Sequence, residues 1–76
     1  MTYAVIIEAG ARNYSAYVPD VSGCIATGKT LDEVKQVMRE AIAFHLEGLR
    51  EEGLPIPLAT SLCEYVEVSG TGGKRA

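Results

Sequence analysis

The sequence predicts an α+β domain, a small antiparallel β-sheet with one long helix packed on one face, in the order β-β-β-α-β. Three observations carry this. Three short strand-like runs precede residue 28 with only turn residues between them, so no crossover helix separates them and an antiparallel meander is the economical topology. An amphipathic stretch of about 22 residues then starts at Leu31, long enough for a helix of about 33 Å. A run rich in β-branched and aromatic residues over 62–68 supplies the last strand.

The first strand spans residues 3–9. Ala4 and Ile6 point one way and Tyr3, Val5 and Ile7 the other. Being apolar on both faces, it is expected to be central or to pair across an interface. Residues 10–13 form a hairpin loop, and 14–18 the return strand, with Tyr14, Ala16 and Val18 alternating against Ser15 and Tyr17. Pro19 cannot donate to a ladder and ends that strand. Asp20 is placed to bond the backbone two residues on, and Gly23 to take positive φ. Residues 24–27 form the third strand.

Thr30 and Glu33 form a capping box at the start of the helix. Leu31, Val34, Val37, Met38, Ala41, Ile42, His45, Leu46 and Leu49 share one half of its wheel, and charged residues fill the other. Gly53 is the expected positive-φ stop, and Pro55 and Pro57 prevent resumption. Residues 1–69 are thus expected to form one domain, with 70–76 a disordered tail lacking an apolar anchor.

At 76 residues with a net charge of −3, the chain is near the low end of what folds alone, so self-association is expected. The acidic balance favours a basic protein partner over a polyanion. Two unpaired-looking cysteines exclude a secreted disulfide scaffold. No run approaches a membrane span, and residues 1–5 lack a signal-peptide pattern, so a soluble cytoplasmic protein is expected.

Pro19-Asp20-Val21-Ser22-Gly23-Cys24, then Gly28 and Thr30 through Glu33, then Glu40-Ala41-Ile42, Gly53 and Pro55-Ile56-Pro57 stand in an order and spacing that resembles the HicB family of antitoxins. The resemblance covers roughly residues 3–70. It implies a truncated ribonuclease-H-like fold that self-associates and binds a small, basic, mRNA-cleaving HicA-like toxin. It makes Pro19, Asp20, Gly23, Cys24, Gly28, Thr30 and Glu33 the family's structural motif. Many family members carry an appended DNA-binding segment. This chain stops just after the fourth strand, so a short form without that segment is expected, with no direct nucleic-acid binding by this chain.

Cys24, His45 and Asp20 can be arranged on paper as nucleophile, base and orienter, but a packed histidine and a small buried cysteine are the ordinary readings. Cys24, His45 and Cys63 lack the close pair a zinc site normally shows. Glu8, Asp20, Glu64 and Glu67 do not converge as a two-metal site requires, because Glu64 and Glu67 have opposite strand parity. Arg12, Lys29, Lys35, Arg39 and Arg50 are scattered, and Lys74-Arg75 are only two charges, a poor match to a nucleic-acid surface. No catalytic residue, metal or cofactor is therefore expected.

One pattern stands out. Glu33, Glu40, Glu47 and Glu51 fall within about 40° on the helical wheel, with Phe44 beside them. The bland account is a solvated face; the functional one is a docking surface for a basic partner with an aromatic anchor. Tyr3, Val5, Ile7 and Tyr17 are expected to form the self-association face. The resulting reading is a HicB-like antitoxin that occludes a toxin without catalysis. Two alternatives stay open: an orphan oligomerisation module without a toxin, and a small-ligand or enzymatic site near Asp20 and Cys24.

Overall fold

A computed structural model describes residues 1–69. Three strands, β1 (Ile6–Ala9), β2 (Tyr14–Tyr17) and β3 (Ile25–Gly28), precede one helix, α1 (Leu31–Glu51). The strands form an antiparallel sheet in the order β1-β2-β3, as the short connections require. The tail expected over 70–76 lies outside the described residues.

The turn chemistry sets the strand ends. Gly10 N–H donates to the Asn13 carbonyl at 2.7 Å, closing the first hairpin. Tyr17 pairs with Ile6 and Ile25, and the ladder stops there. Two residues on stands Pro19, which has no N–H to offer. Residues 3–5 therefore continue the line of β1 without a ladder partner, and the strand is shorter than the apolar run. β1 is also an edge strand, not a central one. Consecutive strands lie side by side, which among the described residues leaves only β2 with neighbours on both flanks.

Register assigns the faces. Ile7, Ala16 and Ala26 are directly opposite one another, as are Ala9, Tyr14 and Gly28; these face α1. Ile6, Tyr17 and Ile25 line up on the open face. The core lies between sheet and helix and comprises Ala16, Val18, Val21, Cys24, Ala26, Val34 and Met38. Val21, Val34 and Met38 are essentially without solvent contact, and each such burial contributes about 1.5–3 kcal/mol gross.

Small residues decide where the helix sits. Ala16, Ala26 and Gly28 let α1 approach the β2–β3 side closely. A Cβ added at Gly28 would stand 2.7 Å from the Val34 backbone nitrogen. α1 therefore lies against β3 and β2 and does not pack closely on β1. The bulkier Tyr3, Val5 and Ile7 are only half buried, and a groove of about 520 Å³ opens between them and Lys35, Met38, Arg39 and Ile42.

Both helix ends follow from local chemistry. Glu33 N–H donates to Thr30 Oγ1 at 3.0 Å. The Glu33 carboxylate accepts from Lys29 N–H at 2.9 Å, one residue earlier than a standard capping box places it. At the other end, Leu54 N–H reaches the Leu49 carbonyl and Gly53 N–H the Arg50 carbonyl, a Schellman motif with Gly53 at φ 72°.

The fourth strand expected over 62–68 does not pair with this sheet. Tyr3 Oη donates to the Pro57 carbonyl at 2.6 Å, and Asp20 then holds Thr60 and Ser61. The chain is thus drawn past the β1 side to the turn between β2 and β3 before residue 62. Leu62, Tyr65, Val66 and Val68 beyond it are all exposed.

Candidate functional site

The Asp20 turn is built by its neighbours. Val21 N–H bonds the Val18 carbonyl and Cys24 N–H the Val21 carbonyl, while Gly23 takes φ 82°, which a Cβ would resist. The backbone therefore makes the turn without Asp20. Instead of bonding two residues ahead, Asp20 reaches across the molecule. Its Oδ2 accepts from Ser61 N–H at 2.8 Å and Thr60 N–H at 2.9 Å. Its Oδ1 accepts from Ser61 Oγ at 2.9 Å and Thr60 Oγ1 at 3.1 Å. The Ser61 N–H first, and then the two hydroxyls and the Thr60 N–H, hold the carboxyl below its ordinary pKa, against a smaller opposing effect of desolvation.

Cys24 is buried, with Sγ 3.9 Å from Met38 Sδ. Burial pushes its thiol pKa up, the reverse of what a thiolate nucleophile needs. His45 is half buried on α1. Among the described residues, no group of three or more His, Cys, Asp or Glu side chains is gathered around a metal-sized site. No helix among them is long and apolar enough to cross a membrane.

The acidic face is exposed along α1. Glu40 accepts from Gln36 Nε2 at 2.9 Å, Gln36 Oε1 accepts from Arg39 at 3.0 Å, and Glu47 lies 3.8 Å from Arg50. These exposed i,i+3 and i,i+4 contacts contribute a few tenths of a kcal/mol each. Glu33 is committed to its capping bond and Glu51 ends the helix. Phe44 is 82% exposed, because at about 100° per residue it falls on the outward arc of α1 with the glutamates, whereas Ala41, Ile42, His45 and Leu46 at the same height turn toward the sheet and are half buried. An aromatic side chain therefore stands in solvent one turn from Glu40 and Glu47.

The other expected surface divides. Tyr3, Val5 and Ile7 pack toward the core on the helix side, whereas Tyr17 lies on the open face with Ile6 and Ile25. Register makes this split, since Tyr17 opposes Ile6 rather than Ile7. Two features escaped the sequence reading: the Thr60-Ser61 clamp on Asp20 and the close approach at Gly28. The small set Ala16, Ala26 and Gly28 was the available signal for the second.

Meander and covering helix together define a small two-layer α+β domain. Residues 3–72 match the family described as HicB_like antitoxin of bacterial toxin-antitoxin system, and the chain belongs to that family. It is 38% identical over 66 residues to an uncharacterised 14.9 kDa protein from the rep-hol intergenic region of Haemophilus phage HP1, covering 87% of this chain and 50% of that one. It is 33% identical over 54 residues to a UPF0150 protein of Helicobacter pylori, covering 71% and 75% respectively. A chain of the solved HicA3 and HicB3 toxin-antitoxin complex superposes with a TM-score of 0.63 at 34% identity, covering 72% of this chain and 64% of that one. The chain thus spans half the length of the phage relative.

Proposed function

We propose that this chain is a cytoplasmic, self-associating antitoxin that binds a small, basic, HicA-like, mRNA-cleaving toxin and occludes it without chemistry of its own. Family membership and the likeness to a chain of a toxin-antitoxin complex support the class. The single observation behind the surface is Phe44, exposed next to Glu40 and Glu47. Carboxylates speed encounter with a basic partner and set its register, and a desolvated aromatic supplies the hot spot.

A ligand or enzyme site at Asp20 and Cys24 is the weaker reading. The Asp20 oxygens are engaged by residues 60 and 61, and the Cys24 thiol is buried against Met38. Co-expression with a HicA-like toxin tests the proposal. The wild-type chain should restore growth, and Glu40→Lys with Glu47→Lys should restore it poorly while keeping its circular dichroism spectrum. Equal rescue by the folded double variant would reduce the helix face to a solvated surface.

A further inference from the structure

Two parts of this chain are incomplete in complementary ways. Among the described residues no strand lies beside the outer edge of β1, and the groove between β1 and α1 is apolar, lined by Tyr3, Val5, Ile7, Met38 and Ile42, with Lys35 and Arg39 among its walls. Residues 62–68 are strand-forming by composition, yet Leu62 is 89% and Tyr65 95% exposed. Such an edge and such a segment are each a template for strand addition.

We infer that residues 62–68 of one copy add as a strand along the β1 edge of a second copy and close its groove, the exchange being reciprocal. This names the surface behind the self-association proposed above and is independent of any toxin. Alternation places Leu62, Glu64, Val66 and Val68 on one side of the segment and Cys63, Tyr65 and Glu67 on the other. The first set matches the groove, with its apolar residues against Val5, Ile7 and Ile42 and Glu64 toward the cations of Lys35 and Arg39. The second set falls beside the open face, where Tyr65 extends the apolar row of Ile6, Tyr17 and Ile25.

The occupant is a second copy because of the clamp. Pro57 is held at Tyr3, and Thr60 and Ser61 at Asp20, so the chain has passed its own β1 edge before the segment begins. Reciprocal addition satisfies both edges with one two-fold axis and closes the assembly.

Light scattering on the full chain without toxin tests this. A species of twice 8.1 kDa is expected at micromolar concentration. Leu62→Asp with Val66→Asp should give a monomer with unchanged helical signal, since both positions are exposed in the protomer. Arg39→Glu and Glu64→Lys should each weaken the dimer about tenfold or more. An equimolar mixture of these two variants should recover it, because each segment then meets a groove of opposite charge. A segment docked on its own β1 would gain nothing from mixing. A monomeric wild type, an undiminished dimer in the double aspartate variant, or a mixture no tighter than its components overturns the inference. Toxin rescue, measured separately, is unaffected by those outcomes.

Discussion

Asp20 and Ser61 are joined by two hydrogen bonds, one from the Ser61 amide and one from its hydroxyl. They stand 41 residues apart in the chain. With Thr60 making the same two contacts, a single carboxylate fixes where the chain after the helix meets the sheet. The course of the free segment 62–68 in the proposed dimer starts from that fixed exit.

Asp20→Asn should loosen this exit while leaving the meander and helix folded, because an amide replaces an acceptor oxygen with a donor that faces N–H and O–H groups. Hydrogen exchange at the Thr60 and Ser61 amides should accelerate, and exchange in β2 should not. The same protection should be pH-dependent in the wild type. The native pKa is depressed, so the stabilisation is fully present above the unfolded value of about 3.9 and is lost as pH falls through the lower native value. Protection that persists well below that window would contradict the assignment.

Gly28→Ala should destabilise the protein by about 1–3 kcal/mol, the usual cost of overpacking a close contact. The new methyl would meet the Val34 backbone at 2.7 Å and Glu33 carbonyl carbon at 3.2 Å, and backbone cannot turn aside as a side chain can. Urea unfolding gives the value. A neutral substitution would mean that α1 rides freely over β3.

The two cysteines should differ in reactivity. Cys63 is exposed and Cys24 is buried, with its thiol pKa raised by desolvation. In dilute native protein, a disulfide reagent should label one thiol quickly and the second only on unfolding. Rapid labelling of both would place Cys24 at the surface.

Phe44→Ala should leave unfolding free energy within about 0.5 kcal/mol of wild type, as exposed substitutions do. If Phe44 anchors the toxin, the same change should cost about 2 kcal/mol or more in binding, through a faster off-rate. Titration calorimetry beside thermal unfolding separates the two quantities. Lost stability with unchanged binding would assign Phe44 to the fold.

The helix, its caps and the meander were legible in the sequence because each is a local matter. Thr30 with Glu33, Gly53 before two prolines, and Gly23 in its turn act on neighbours within four residues. Family membership was legible for the same reason, as an ordered string of such punctuation. Tertiary structure alone decided what depends on pairing between distant residues. Period-2 alternation shows that Tyr3, Val5 and Ile7 share a face, but only the Ile6–Tyr17 pairing shows that this is the helix side. Composition marks 62–68 as strand-forming, yet a strand also needs an edge, and the Asp20 clamp carries the segment past its own. Amphipathicity set the inward face of α1, whereas Gly28, Ala26 and Ala16 set where the helix rests, and so left β1 half covered.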